Sequence, residues 1–217
     1  MRLQFASGYA FPRGLDLPWD TPLEDWESPA LVRLTRGISR NLVRFVSYRD
    51  VFYAIKEINE LLAIREYDLL KELVELGLPA VEPVALVTDR AESERGLLVT
   101  RYLDGSLPLR ALISAEDEKG GVDRLMDAVA ILLVRLHLEG FFWGDCSLSN
   151  TLFRRDAGQF AAYLVDAETG ELHPSLSQGQ RRHDLEIASE NLAGELMDLQ
   201  AGFGPVSYTH LRAHETL

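Results

Sequence analysis

The spacing of apolar residues changes about halfway along this chain, and that change restricts the fold more than any other feature. From Leu31 onward, short β-type runs follow one another at residues 31–35, 42–46 and 51–55, separated by Gly37 and by a polar turn over 47–50. This is the pattern of three antiparallel strands in a meander. Residues 60–76 then carry Leu61, Leu62, Tyr67, Leu69, Leu70, Leu73 and Leu76 at helical intervals, and Gly77 and Pro79 stop the run. Two further apolar runs, 84–88 and 97–102, predict strands packed around that one helix. After Asp104 and Gly105 the period becomes helical. Residues 122–139 place Leu125, Val129, Leu132, Leu133 and Leu136 on one stripe ending at Gly140. Short strands at 151–153 and 163–165 flank a turn at 156–158. A last helix over 184–199 is expected to bury Leu185, Ile187, Ala188, Leu192, Leu196 and Leu199. The order of these elements predicts an α+β chain, with an antiparallel sheet and one helix first and a mainly helical part second.

The two ends read differently from the middle. Residues 1–29 combine Pro12, Pro18, Pro22 and Pro29 with Trp19 and Trp26, as expected of an irregular strap held to a globular surface by aromatic anchors. Thr21 is expected to cap a short turn opened by Pro22, with Glu24 three residues from the cap. At the other end, residues 207–216, SYTHLRAHET, lack amphipathic periodicity and resemble an adapter-derived reading frame. That tail, with His210 and His214, is therefore set aside. The divisions expected are a strap at 1–29, a strand-rich lobe at 30–103, a helical lobe at 104–205 and a non-native tail at 206–217. The stretch between Asp166 and the tail is short for a helical lobe, so that lobe is expected to be truncated.

Charge narrows the classes of function. Of 217 residues, 34 are Asp or Glu and 22 are Lys or Arg, a formal net charge of -12. That field repels nucleic-acid backbones and anionic headgroups, and no Lys/Arg block offsets it. The single cysteine, Cys146, rules out an intramolecular disulfide and agrees with a reducing cytoplasm. The most apolar helical stretch, 128–138, is interrupted by Arg135 and falls well short of the roughly 20 residues that a membrane span needs. The N-terminal residues lack the sustained apolar run of a secretory signal.

The chemistry concentrates in Trp143-Gly144-Asp145-Cys146-Ser147-Leu148-Ser149-Asn150, followed after two short strands by Asp166-Ala167-Glu168. Asp and Asn five positions apart on a loop can point into one cleft, whereas a regular helix would separate them. The arrangement resembles the D-x-x-x-x-N catalytic loop of kinases and the metal-binding Asp that follows it. The resemblance implies that Asp145 orients or deprotonates an attacking hydroxyl, and that Asn150 and Asp166 hold Mg2+. Glu168 extends it as a second acid at the metal, against the plain alternative of a solvent-facing glutamate.

Upstream, Tyr53-Ala54-Ile55-Lys56 resembles the V-A-I-K strand whose lysine holds nucleotide phosphates, and Glu66, in Arg65-Glu66-Tyr67, stands where that lysine's ion-pair partner is expected. Glu57, Glu60 and Glu72 are competing partners. Gly37, with Ser39 and Arg40, falls where kinases have a phosphate-covering loop, but the three-glycine pattern is absent and a hairpin turn explains it almost as well.

Taken together these residues are similar to the protein-kinase-like fold, and most similar to bacterial lipopolysaccharide-kinase-like proteins, including a family of unassigned function. The resemblance covers roughly residues 31–199. It implies two lobes, ATP and Mg2+ as cofactors, a hinge at Thr100, Arg101, Tyr102 and Leu103, and transfer of the γ-phosphoryl group to a hydroxyl of a small molecule, glycolipid or protein. Two departures stand out. Trp143 replaces the histidine usual two residues before the catalytic Asp, and Ala167-Glu168 replaces Phe-Gly. His137 is expected to satisfy a helix-end hydrogen bond and Cys146 to act as a small packed residue. A nucleotide-binding regulatory module without turnover and a purely structural α+β module are the alternatives.

Overall fold

The computed structural model describes residues 1–6, 17–34, 41–91, 93–108, 112, 121–156 and 158–203. Gly37, Ser39 and Arg40 lie outside the described residues, as does the tail from 204 onward. Among the described residues the architecture is α+β. Six antiparallel strands, β1 (Arg2–Phe5), β2 (Leu31–Val32), β3 (Leu42–Tyr48), β4 (Val51–Asn59), β5 (Pro83–Thr88) and β6 (Arg95–Arg101), form one sheet in the order β1-β5-β6-β4-β3-β2. The expected meander is β2-β3-β4. Its tight turn uses Arg49 and Asp50, both in the left-handed region at φ 50 and 63, a geometry whose twist suits the flanking strands. The turn is shorter than the 47–50 expected, so Ser47 and Tyr48 stay paired with Phe52 and Val51. The stretch 1–29 is expected to be an irregular strap with one short turn at Pro22. Instead Arg2–Phe5 pairs with β5, a strand too short and too near the terminus to stand out in the sequence pattern.

Strand alternation sends neighbouring side chains to opposite faces of this sheet. Helix α1 (Glu60–Glu75) covers one face: Ala63, Tyr67, Leu70 and Leu73 pack with Ile58, Leu86 and Leu98. The strap covers the other, where Leu17, Leu23 and Trp26 pack on Val46, Ile55, Val87, Leu97 and Val99. Strand β5, covered from both sides, is buried at all six positions. The Asn59 side chain caps α1 by accepting from the Leu61 and Leu62 amides at 3.0 and 3.4 Å. The helix closes on Gly77 at φ 70, with Leu78 N–H donating to the Leu73 carbonyl and Gly77 N–H to that of Val74.

Two arginines fasten the strap. Arg90 donates to the Trp19 and Thr21 carbonyls and to Glu57, whose carboxylate also accepts from the Leu23 amide at 3.2 Å. Arg44 donates to the carbonyls of Trp26 and Glu24. Thr21 does not cap the short 3-10 turn Leu23–Asp25. Pro22 occupies the cap position, and the Thr21 carbonyl is instead taken by Trp26 and Arg90.

The second part contains α2 (Gly121–Leu138), α3 (Gln178–Phe203), a sheet of β7 (Ser106–Pro108), β9 (Thr151–Asp156) and β10 (Gln159–Leu164), and the pair β8 (Phe141–Phe142) with β11 (Glu171–Leu172). Helix α3 begins before the expected residue 184 because Ser177 and Gln180 form a reciprocal cap: Gln180 N–H donates to Ser177 Oγ at 3.2 Å and Ser177 N–H to Gln180 Oε1 at 2.9 Å. Its inward face also differs from expectation. Leu185 is 49% exposed, while Asp184 is fully buried, for reasons that the site makes plain. The two parts meet through Ala80, which bridges Leu164, and share one core in which Tyr67 and Leu73 join Leu132, Phe153 and Leu164.

Between α2 and β8 the chain turns at Gly140, φ 84, with its carbonyl accepting from His173 N–H at 3.0 Å. A Cβ there would lie 2.1 Å from the His173 carbonyl oxygen, a backbone atom with little freedom to retreat. Gly140→Ala is expected to lower stability by about 2 kcal/mol or more, the left-handed penalty adding to the clash. The check is a urea unfolding midpoint that falls with an unchanged slope.

Candidate active site

Four charged side chains converge from three separate segments. Lys56, near the end of β4, has its Nζ 2.9 Å from Glu66 Oε2, 2.6 Å from Asp166 Oδ2 and 3.5 Å from Glu168 Oε2. Strand alternation explains the direction, because Ile55 and Glu57 face the strap and so Lys56 faces the other way. Glu66 comes from the buried side of α1, between Ala63 and Tyr67. Asp166 and Glu168 follow β10 in a turn in which Glu168 N–H donates to Asp166 Oδ1 at 3.1 Å. Neighbouring Arg65 donates to the Gly170 carbonyl at 2.8 Å, tying α1 to the far end of the same segment. Of the competing glutamates, Glu57 is held by Arg90 and Glu60 Oε2 accepts from the Asp89 amide.

One ammonium faces three carboxylates, so the cluster carries surplus negative charge. Burial opposes protonation of Lys56, but Glu66 and Asp166 outweigh it and hold the amine above its usual value. Burial, reinforced by Asp166 and Glu168 and opposed by Lys56, pushes Glu66 up from 4.5 to about 8. Loss of the proton from Glu66 is therefore harder than from an exposed carboxylate. One oxygen from each of Glu66, Asp166 and Glu168 lies within 4.8 Å of the others, and Glu168 Oε2 is buried and makes no hydrogen bond, with Lys56 Nζ 3.5 Å away as its counter-charge. Hard oxygen donors with an incompletely satisfied acceptor among them suit a divalent cation such as Mg2+.

The Asp145 loop lies alongside. Asn150 Nδ2 donates to Asp145 Oδ2 at 3.0 Å and to the Asp145 carbonyl at 3.1 Å, while the Asn150 carbonyl accepts from Val165 N–H at 3.1 Å, one residue before Asp166. The Asn150 amide nitrogen is therefore bound to Asp145. Glu66, expected only as the lysine's partner, is inside the acidic cluster. Trp143 is fully buried and its Nε1 donates to the Asp166 carbonyl at 3.0 Å, so this ring ties the loop to the Asp166 segment. In the hinge stretch, Thr100 pairs with Ala54 and Arg101 ends β6. Tyr102 N–H donates to the Phe52 carbonyl at 2.9 Å, its ring stands edge-on to Phe45 and Phe52, and the Leu103 carbonyl accepts from Ser106 N–H.

Sequence reasoning missed three residues, all on α3. Asp184 accepts from the Trp143 and Gly144 amides at 3.0 and 2.8 Å and lies 2.8 Å from His137 Nε2. His137 thus pairs with a carboxylate from another helix and not with a helix-end group of its own. Asn191 Nδ2 donates to Asp145 Oδ1 and to the Cys146 carbonyl, both at 3.2 Å. Glu195 accepts from the Leu148 and Ser149 amides at 2.5 and 3.2 Å. The available signal was an Asp, an Asn and a Glu at intervals of seven and four in a stretch whose apolar stripe is weak. Cys146 is buried, and burial together with Asp184, Asp145 and Glu195 raises its thiol well above the ordinary value, which leaves it inert.

The raised Glu66 makes stability depend on pH with a definite sign. Between its ordinary 4.5 and about 8 the folded chain holds a proton that the unfolded chain releases, so stability falls as pH rises through that window. In cation-free buffer the melting temperature is expected to drop from about pH 5 to pH 8, and Glu66→Gln to flatten the drop. Parallel curves for the two proteins, measured by thermal unfolding, would contradict the assignment.

Residues 40–195 match the model of the Lipopolysaccharide kinase (Kdo/WaaP) family. The chain is also 33% identical over 112 residues to dual specificity testis-specific protein kinase 1 of Rattus norvegicus, an alignment that takes in 48% of this chain and 18% of that protein. The chain accordingly spans less than a fifth of that relative's length. A solved structure of WaaP in complex with acyl carrier protein aligns with a TM-score of 0.49 and 19% identity, over 73% of this chain and 68% of that one. The family match runs from before β3 to within α3 and so includes Lys56, Glu66, Asp145, Asn150 and Asp166; the chain belongs to the lipopolysaccharide kinase (Kdo/WaaP) family.

Proposed function

We propose that the chain binds ATP with Mg2+ and transfers the γ-phosphoryl group to a hydroxyl of an acceptor, which is a small molecule, a glycolipid or a protein. The observation that carries this reading is the convergence of Lys56, Glu66, Asp166 and Glu168, beside a loop in which Asp145 is held by Asn150. A cation and an ammonium with adjacent carboxylates are what phosphoryl transfer requires, since its catalysis is mainly positioning and charge stabilisation.

In this reading Lys56 turns its ammonium to the phosphates, and Glu66, anchored in α1, keeps the amine aimed into the cleft. Asp166 and Glu168 hold Mg2+, with Asn150 as a further oxygen donor, and the ion when bound neutralises phosphate charge. The Asp145 carboxylate accepts a hydrogen bond from the attacking hydroxyl and takes its proton as the new P–O bond forms and the bond from the γ-phosphorus to the β-phosphate oxygen breaks, ADP leaving with that electron pair. The segment Thr100–Leu103 offers backbone groups to the adenine, and Gly37, Ser39 and Arg40 are the residues proposed to contact the phosphates. Trp143 excludes water behind Asp166. Among the described residues no helix is long and apolar enough to cross a membrane, and use of ATP fits a cytoplasmic location. The net charge of -12 argues against nucleic acid as the acceptor.

Calorimetry of ATP binding with and without Mg2+ is expected to show a magnesium-dependent gain in affinity that Asp166→Asn reduces about tenfold or more. Asp145→Ala is expected to leave that binding within about twofold while lowering ATP turnover by roughly a hundredfold or more. No binding by folded protein would rule the reading out. Magnesium-dependent binding with no turnover would identify a regulatory, nucleotide-sensing module instead.

A further inference from the structure

Helix α3 touches the catalytic loop at three successive points, through Asp184, Asn191 and Glu195. At about 100° per residue, steps of seven and eleven bring these side chains to within about 20° of one direction, so one stripe of the helix faces the loop. Asp184 takes the amides at 143 and 144, Asn191 the side chain of 145 and the carbonyl of 146, and Glu195 the amides at 148 and 149. The contacts run in the same order along helix and loop. Of the three, Asn191 alone reaches a reacting group.

We infer that Asn191 is a positioning residue for the proposed reaction: it holds Asp145 Oδ1 while Asn150 holds Oδ2, and so fixes the plane of the carboxylate that must meet the acceptor hydroxyl. This rests on the reading of Asp145 given above. A carboxylate held by one amide can still swing about its side-chain torsions, whereas two donors, one on each oxygen and carried by different elements, leave a single orientation. The Asn191 amide is suited to the task because it is uncharged. It donates without forming an ion pair that would compete with the hydroxyl, and its second contact, to the Cys146 carbonyl, keeps the amide from turning. Asn150 belongs to the loop and moves with it. Asn191 belongs to a helix whose neighbouring turns grip the same loop, so it sets Asp145 against a fixed frame.

The test uses the full chain with ATP, Mg2+ and water as the acceptor, comparing wild type, Asp145→Ala, Asn191→Leu, Asn191→Asp and Asn191→Gln. Asn191→Leu keeps the size and removes the donor, and is expected to lower kcat roughly ten- to hundredfold with the KM for ATP within about twofold. Asn191→Asp sets a like charge against Asp145 and is expected to be worse, while Asn191→Gln, which retains the donor, regains part of the rate. A merely structural role would alter both parameters together and show no rescue by Gln. As a readout free of turnover, the losses in melting temperature of Asn191→Leu and Asp145→Ala are expected not to add in the double variant. Turnover that is sensitive to Asp145→Ala but unchanged in Asn191→Leu overturns this inference alone, as does full additivity of the two melting shifts. Absence of turnover in wild type that binds Mg·ATP overturns the functional reading and this inference with it.

Discussion

An ammonium that would be costly to bury alone sits 13% exposed at Lys56, and three carboxylates from distant segments make that placement possible. The arrangement depends on nearly everything around it. Lys56 faces the cleft only while β4 keeps its register with β3 and β6, and Glu66 reaches it only while α1 lies flat on the sheet through Tyr67, Leu70 and Leu73. Asp166 arrives from the second part of the chain, whose approach is set by the Ala80–Leu164 bridge and by Trp143 bonded to its carbonyl. Removing Lys56 would leave the three carboxylates without their counter-charge, which is why such clusters hold elements together more through the penalty of breaking them than through their net contribution.

A second frame supports the Asp145 loop. The loop has little regular structure, and between Gly144 and Thr151 its backbone polar groups need partners from elsewhere. Helix α3 supplies some of them with two carboxylates and an amide, and Ser147, Asn150 and Thr151 supply others locally, with Thr151 Oγ1 donating to the Ser147 carbonyl at 2.7 Å. Fully buried Asp184 is acceptable in the core because two amides and His137 surround it. The exposure of Leu185 has the same cause, since the helix is rotated to turn a polar stripe inward, and the neighbouring leucine is carried outward.

Much of this was legible before any coordinates. The strands around Leu42–Tyr48 and Val51–Asn59, the helix Glu60–Glu75 and the helix Gly121–Leu138 follow from period and from stop signals at Gly77 and Gly140. Arg2–Phe5 was not legible because a four-residue edge strand has no period to read. The start of Gln178–Phe203 was legible in principle, since Ser177 and Gln180 have capping-box spacing, but its weak amphipathicity hid the signal. Thr21 had the composition of a cap, but the short turn starts one residue later with Pro22 at the cap position, and the Thr21 carbonyl accepts from Trp26 and Arg90.

The candidate site divides along the same line. Sequence alone determined which chemistry is available: an Asp and an Asn five apart, a lysine at a strand end, and two acids after a short strand carry that information in their spacing, because neighbours along the chain stay neighbours in the fold. Only the tertiary structure decided who meets whom. The Asn150 amide nitrogen turned to Asp145, Glu66 entered the acidic cluster, and Asp184, Asn191 and Glu195 became the support of the loop. Those pairings span from 5 to 110 residues and are chosen by burial, since a polar group removed from water takes whichever partner the packing brings within reach.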